Sequence, residues 1–368
     1  MTLFRGYADD LELKDWLEQK IWPLEKRLTG EMVYAGSLLG CLEMIRTGTT
    51  NFVDMYFFME HVADAVKESG LRAFLSHGII DPQNKLDKEK DRKKSLALLQ
   101  YLKRLGESRL RFVLGPHSPY TCEPDTLLWS KEVAEKEDTF VNIHVAETRR
   151  EQAESEKTKK GRVVEYLEKI GFLSDRVLAA HAVWLTKSEV KLLGTRKARV
   201  AHCPVSNMKL AGGGVAPVPE MWEARIPVSL GTDGPASNNS LDMFETMKVC
   251  ALIHKAQRWD PTIVPAQKAL DMATIDGARA VGLEGSIGSI EEGKQADLIL
   301  LDLQDPNLIP VHNAGTVVSD LIYSANGMNV DSTIVNGKVL MINKKVQTVD
   351  TSKVRRLVDE SIDALLNK

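Results

Sequence analysis

The sequence predicts an α/β chain, a (β/α)8 barrel followed by a small β unit, and three observations carry this prediction. Short apolar runs alternate regularly with helical segments between about residues 49 and 257. The runs are continuously apolar, which is typical of parallel strands that are buried on both faces. Beyond residue 296 the strand patterns follow one another without helices between them, so the tail forms a separate β unit.

Seven apolar runs are predicted strands, at residues 49–56, 71–80, 110–116, 139–146, 176–183, 198–203 and 227–230. A (β/α)8 barrel needs eight strands and takes roughly 250 residues. The helix predicted at 31–46 has no strand before it, so the first strand is expected upstream of Met1. A seven-stranded or doubly wound open sheet is the alternative.

The remaining elements complete the predicted organisation. The tail contains strands at 296–303 and 333–343, the latter folded at Asn336-Gly337, a strong hairpin signal. Amphipathic or capped segments predict helices at 31–46, 60–68, 88–105, 125–137, 162–170, 187–193, 241–257 and 351–366. We therefore expect a barrel over 1–285, a small β domain over 286–350 that is part of a composite sandwich, and a C-terminal helix over 351–368.

Composition excludes several classes of protein. The chain has 368 residues with 48 Lys and Arg against 51 Asp and Glu, a formal net charge of −3. This balance argues against nucleic acid or an anionic membrane as the main partner, because both require a basic face. The four cysteines lie far apart and no secretory signal or membrane-spanning run is visible, which predicts a cytoplasmic protein with free thiols.

Polar residues collect where the predicted strands end, which is where barrels of this type carry their chemistry. If an upstream first strand is counted, these residues follow strands three to eight: His77, His117, His144 with Glu147, His181, His202 and Asp233. Converging imidazoles and carboxylates are what a divalent metal site requires.

Each of these residues also has a structural interpretation. A single histidine in an apolar strand is more often packed and hydrogen-bonded than a ligand, and Asp233 between glycines could simply shape a turn. The stripe of Met243, Met247, Cys250 and His254 on one helix is interpreted as core. The joint pattern at the strand ends favours a metal site over packing.

Eight segments resemble the amidohydrolase superfamily, specifically its 5-methylthioadenosine/S-adenosylhomocysteine deaminases. The resemblance covers essentially the whole chain. The segments are MTLFRG at 1–6, WL at 16–17 with PLE at 23–25, FVDMY at 52–56, GPHSPY at 115–120, IHVAET at 143–148, AH at 180–181, HCPVSN at 202–207 and GTDGPASNN at 231–239.

The resemblance implies a role for each matching residue. His144 and Asp233 match metal ligands, for Zn²⁺ or Fe²⁺, and Glu147 matches a proton shuttle that also contacts the purine. His181 matches the histidine that hydrogen-bonds the attacking oxygen. The remaining matches are substrate contacts or pocket walls: Glu25, suited to ribose hydroxyls, with His117, Trp16 and Ser237.

The chain departs from the family pattern at two places. Family members carry a His-x-His metal-binding pair shortly before the segment that matches residues 1–6, and this sequence starts after that point. Members that accept S-adenosylhomocysteine have an arginine where this chain has His77, a weaker partner for the amino-acid carboxylate. Lys85 is the candidate replacement. These departures favour 5′-deoxyadenosine, methylthioadenosine or adenosine as the substrate.

The implied reaction is hydrolytic deamination at C6 of an adenine nucleoside by a metal-activated water, giving the inosine analogue and ammonia. Glu147 protonates the ring, Asp233 accepts the water proton and His181 holds the tetrahedral intermediate. Three alternatives stay open: another amidohydrolase activity, on guanine, cytosine or triazines; a non-catalytic, metal-poor homologue; and a fragment of a longer protein that carries the family activity. The expected partner is a small nucleoside, and dimers and tetramers are common in the family.

Overall fold

The computed structural model describes residues 1–81 and 89–366, and its centre is a wall of seven parallel strand positions. The strand order is β1-β2-β3/β4-β5-β6-β7-β8. The run predicted at 110–116 forms β3 and β4 separately, and Leu114 between them makes a parallel bridge to Val141 that joins the two halves of the wall. The parallel barrel-type fold is therefore confirmed.

The bounds of the elements agree with the predicted runs to within a few residues. The strands are β1 (Asn51–Tyr56), β2 (Arg72–Ile79), β3 (Leu110–Phe112), β4 (Gly115–Pro116), β5 (Val141–Val145), β6 (Val177–His181), β7 (Arg199–His202), β8 (Val228–Leu230), β9 (Leu298–Leu301), β10 (Val330–Val335), β11 (Lys338–Ile342) and β12 (Lys345–Val346).

Helices cover the outside of the wall. They are α1 (Leu13–Asp15), α2 (Trp22–Glu25), α3 (Gly30–Thr47), α4 (Met59–Ser69), α5 (Glu89–Leu105), α6 (Pro124–Lys136), α7 (Arg149–Lys159), α8 (Val163–Lys169), α9 (Lys187–Thr195), α10 (Pro204–Lys209), α11 (Val218–Glu223), α12 (Met243–Arg258), α13 (Ala266–Ala273), α14 (Ile275–Ala280), α15 (Val317–Tyr323) and α16 (Thr351–Leu366). The polar helix α7 and the six-residue helices α10 and α11 were not predicted. None of the helices in the described part of the chain is long and apolar enough to cross a membrane.

The wall has two unpaired outer edges. Within the described residues no strand lies between β1 and β8, and the two strands do not pair with each other. Every residue of β1 is only half-buried, whereas every residue of β2 is buried. Both edge strands line one cavity of about 720 Å³ that runs through the barrel interior.

The C-terminal β unit is a four-stranded antiparallel sheet with the order β12-β11-β10-β9. The predicted hairpin is confirmed: Asn336 and Gly337 connect β10 and β11 with φ angles of 50° and 76°, as a tight primed turn requires. The Thr333 hydroxyl donates to the carbonyl of Ile45, so the sheet rests on α3. The domain boundaries at 285 and 350 stay predictions.

A buried ion pair connects this unit to the barrel. Arg72 at the start of β2 donates from two nitrogens to the Asp297 carboxylate, at 2.9 Å each, and to the Gln295 side chain at 2.6 Å. The two charged side chains are only 3% and 2% exposed. The bidentate geometry satisfies a charge that burial would otherwise make costly.

Candidate active site

The inner wall of the barrel follows from strand alternation. The register aligns His144, Ala180, Ala201 and Ser229 across β5 to β8, and all four line the cavity. Because neighbours in a strand point to opposite faces, their flanking residues point into the helical layer. His144 thus stands in a row whose other members are small, which leaves room in front of its imidazole.

His181 reaches the cavity by a different route. It pairs with outward-facing Val145, so alternation alone would turn it away from the interior. His181 and Ala182 instead have positive φ angles of 71° and 49°, and His181 lines the cavity. Ala146 and Asp233 also have positive φ, at 52° and 61°. Left-handed conformations in non-glycine residues cost free energy and concentrate at functional sites.

Three imidazoles stand side by side at the carboxyl ends of the strands. The ring centroids of His117 and His144 are 4.7 Å apart, and those of His144 and His181 are 5.4 Å apart. His144 Nδ1 is 2.6 Å from the His117 carbonyl oxygen and therefore donates to it. His181 Nδ1 lies 2.8 Å from Asn207 Oδ1. Both contacts leave Nε2 available, the pattern that outer-shell partners impose on metal-binding or catalytic histidines.

Asp233 is fixed by three hydrogen bonds. Its Oδ2 accepts from the hydroxyls of Ser206 at 2.6 Å and Ser237 at 2.7 Å, and its Oδ1 accepts from the Gly234 amide. Burial would raise the pKa of this carboxyl, but nearby His181 and the hydroxyl donors hold it below its usual value. Asp233 is therefore an anionic group with a fixed orientation.

Glu147 lies opposite this anion in the same cavity. Its Oε1 is 3.8 Å from His181 Nε2, and burial raises the pKa of the carboxyl to about 7. A carboxyl with a pKa near neutral can take up and give back a proton during turnover. Asp233 is ionised at neutral pH, whereas the pKa of Glu147 lies near neutrality. The two carboxyl groups can therefore carry out different tasks.

Glu151 supports Glu147 and was not predicted from the sequence. Its carboxylate accepts from the amides of Ala146 and Glu147, at 3.2 and 2.7 Å, and so stabilises the turn that aims Glu147. Glu151 lies in the first turn of α7, which Thr148 caps by accepting from the Glu151 amide. The sequence signal that could have found this helix start is the Thr148-x-x-Glu151 spacing, which is typical of a capping box.

The pKa of Glu151 gives a pH-dependent stability. Burial raises this pKa from its usual 4.5 to about 8. Between these values the unfolded chain has lost a proton that the folded protein keeps, so the free energy of unfolding falls as pH rises from 5 to 8. We expect Glu151→Gln to have a flatter dependence, measured by urea unfolding of metal-free protein. Equal slopes in both proteins would contradict this.

A second group of residues lines the same cavity. The Tyr56 hydroxyl donates to Glu25 at 2.7 Å, and burial raises the pKa of Glu25 despite this bond. Trp16 is buried, donates to the Ala8 carbonyl, and lines the cavity with Glu25 and Ser237. Tyr56 is a cavity residue that sequence reasoning missed, although it ends β1.

Two of the predicted strand-end histidines lie elsewhere. His77 is 3.2 Å from an Asp91 oxygen on α5 and is outside the residues that line the cavity. His202 follows inward-facing Ala201, so it points outward onto α12, and its predicted membership of the strand-end cluster is wrong. Lys85, the candidate carboxylate partner, lies outside the described residues.

The cavity has a pronounced charge bias. Among the described residues that line it, Glu25, Asp54, Glu147, Asp233 and Asp297 are acidic and none is Lys or Arg. Burial lowers the pKa of His117 well below its usual value, and repulsion from His144 and His181 adds to this, so His117 is neutral. The cavity therefore suits a cation beside a ligand without negative charge.

Comparison with known proteins identifies the family. The amidohydrolase family model matches residues 1–340. The chain belongs to the amidohydrolase family. This amidohydrolase is 45% identical, over 99% of its length and 83% of the relative's, to a protein of Methanobrevibacter smithii named 5′-deoxyadenosine deaminase. It is 49% identical, over 96% of its length and 81% of the relative's, to a 5-methylthioadenosine/S-adenosylhomocysteine deaminase of Moorella thermoacetica.

One of the solved structures that resemble this chain contains a bound metal. An adenosine deaminase from Xanthomonas campestris with bound zinc superposes with a TM-score of 0.94 at 35% identity, covering 100% of this chain and 83% of that one. Guanine deaminase of E. coli shares the fold at 21% identity with a TM-score of 0.82. The amidohydrolase assignment and the barrel predicted from the sequence are thus confirmed.

The residues present fit a divalent metal by their donor chemistry. His144 offers a neutral Nε2 whose orientation is fixed through Nδ1, and Asp233 offers a carboxylate held ionised. Imidazole and carboxylate are the ligands of catalytic zinc sites, which hold three protein ligands as a rule. These two residues supply part of such a set.

Proposed function

We propose that this amidohydrolase hydrolytically deaminates adenine nucleosides whose 5′ group carries no charge, such as 5′-deoxyadenosine, methylthioadenosine and adenosine. The observation that carries the proposal is one cavity that is lined by His144, His181, Glu147 and Asp233 together with Glu25. The deaminase names of relatives at 45% and 49% identity support the same reaction.

The chemistry follows from the protonation states of the side chains. A divalent metal held by His144 and Asp233 would activate the attacking water. Glu147, with a pKa of about 7, protonates the ring nitrogen next to C6 and makes that carbon electrophilic. Asp233 accepts a proton from the water and passes it to the C6 amino group, Glu147 takes a proton back from the added hydroxyl, and His181 Nε2 hydrogen-bonds that oxygen. The C6–N bond breaks and ammonia leaves.

Substrate selection is attributed to the part of the cavity around Glu25 and Tyr56. Glu25 is oriented by Tyr56 and is suited to accept hydrogen bonds from ribose hydroxyls. Trp16, Leu17 and Ile21 form an apolar surface near Glu25, which fits a methyl or methylthio group. No Lys or Arg lines the cavity within the described residues, so the carboxylate of S-adenosylhomocysteine would have no Lys or Arg partner among them.

We expect ammonia release from 5′-deoxyadenosine, methylthioadenosine and adenosine, with a much lower kcat/KM for S-adenosylhomocysteine and none for guanine. Glu25→Gln should raise KM for all three nucleosides more than it lowers kcat, because it weakens substrate binding away from the reacting carbon. The measurement is a coupled ammonia assay over this substrate panel. Lys85→Ala is the control, because Lys85 is the candidate partner of the S-adenosylhomocysteine carboxylate and lies outside the described residues.

Two results would overturn the proposal. Turnover of guanine, cytosine or a triazine in preference to the nucleosides would place the protein among other amidohydrolases. Absence of turnover on every substrate, together with metal well below one ion per chain, would identify a non-catalytic homologue. A homo-oligomer stays a prediction that sedimentation can test.

A further inference from the structure

Outside the cavity, a second group of potential metal ligands lies between β7 and α12. His202 ends β7, and Cys250 and His254 are one turn apart on α12. Each residue offers one possible ligand atom, and the three atoms lie within 4.8 Å of one another. All three side chains are buried, with exposures of 1%, 0% and 0%.

Strand alternation produces this group. Ala201 takes the inward position on β7, which turns His202 outward onto the helical layer. On α12 the spacing of four residues puts Cys250 and His254 on the same face, directly under His202. The group therefore lies behind the barrel wall, on the other side of β7 from the catalytic histidines.

The two histidines contact each other and have no other side-chain hydrogen bond among the described residues. The ring nitrogens His202 Nε2 and His254 Nε2 are 3.4 Å apart, and neither Nδ1 atom has a hydrogen-bond partner among the described residues. A tetrahedral zinc ion with Zn–N bonds of about 2.0–2.1 Å separates two such nitrogens by about 3.4 Å. Burial lowers the pKa of both imidazoles, and the neutral form is the one that binds metals.

We propose that His202, Cys250 and His254 bind a Zn²⁺ ion that fastens α12 to β7, with a water in the fourth tetrahedral position. Two neutral imidazoles and one thiolate form a borderline-soft donor set that zinc prefers over magnesium or calcium. The bound ion displaces the proton of the Cys250 thiol, so each zinc taken up releases one proton to solvent. The site has no opening to the cavity, because His202, Cys250 and His254 are not among the residues that line it.

Cobalt substitution tests the proposal directly. The full chain is stripped of metal with a chelator and titrated with Co²⁺ alone, and the near-ultraviolet absorption is followed. We expect a thiolate-to-cobalt charge-transfer band that saturates at one Co²⁺ per chain. Cys250→Ser should abolish this band, and Cys203→Ser, which changes a buried cysteine that lines the cavity, should retain it.

A second measurement needs no variant, in case Cys250→Ser does not fold. X-ray absorption of the zinc-loaded wild-type protein should show a sulfur neighbour at about 2.3 Å beside nitrogen neighbours. The band persisting in Cys250→Ser, or a zinc shell with only nitrogen and oxygen, would overturn the proposal. Either result would identify His202 and His254 as a packed histidine pair. Since the readouts are spectroscopic, they do not depend on deaminase activity.

Discussion

Glu147→Gln should reduce kcat for nucleoside deamination by roughly 10²- to 10⁴-fold, the usual contribution of a general acid–base group. The amide has the same shape as the carboxyl, so the cavity is preserved, but it can no longer take up and donate the proton that C6 activation requires. Burial already raises the pKa of Glu147 to about 7, so replacing it removes a group whose ionisation is costly. The folded state is therefore expected to be at least as stable as wild type.

The comparison uses steady-state kinetics and thermal unfolding on the same preparations. Glu154→Gln, at an exposed position on α7, is the matched control and should leave kcat and Tm unchanged. A Glu147→Gln variant with near-normal kcat would show that another group carries the proton. Loss of activity together with a large fall in Tm would indicate a structural role for Glu147.

Asp297→Ala should destabilise the protein by about 3–5 kcal/mol, because it leaves the Arg72 guanidinium buried without its counter-ion. Gln295 alone would remain as a partner for this cation. The carboxylate also accepts from the Asn336 amide, so the hairpin of the C-terminal sheet loses an anchor in the same variant. Urea unfolding at neutral pH measures the change.

An exposed pair provides the control for this prediction. Glu168→Ala removes the partner of Arg196, whose side chain is 51% exposed, and should lower the free energy of unfolding far less than Asp297→Ala does. Replacing both buried partners, as Arg72→Met with Asp297→Leu, should recover most of the loss because no isolated charge remains. Equal losses for Asp297→Ala and Glu168→Ala would contradict the assigned role of burial.

The strands were predictable because their signal is local. Each is a continuous apolar run between turn residues, and β2, with every residue buried, is the clearest case. The hairpin at Asn336-Gly337 was predictable for the same reason, since those residues accept positive φ angles. His144 could be placed correctly because its neighbours Ile143 and Val145 alternate with it along β5.

Side-chain direction at the ends of the strands was harder to predict. His181 and His202 both follow apolar strands, but the first turns inward through a positive φ and the second points outward by ordinary alternation. The apolar pattern of the sequence does not show the direction of either side chain. Glu151 escaped prediction because α7 is short and polar, so the capping spacing at Thr148 had no hydrophobic periodicity beside it.

The two tasks proposed for the cavity belong to separate parts of the chain. Tyr56, which orients Glu25, ends β1, whereas His144 and His181 stand on β5 and β6. Substitutions around Glu25 can therefore change which nucleoside binds without altering the hydrogen bonds that orient His144, His181 and Asp233.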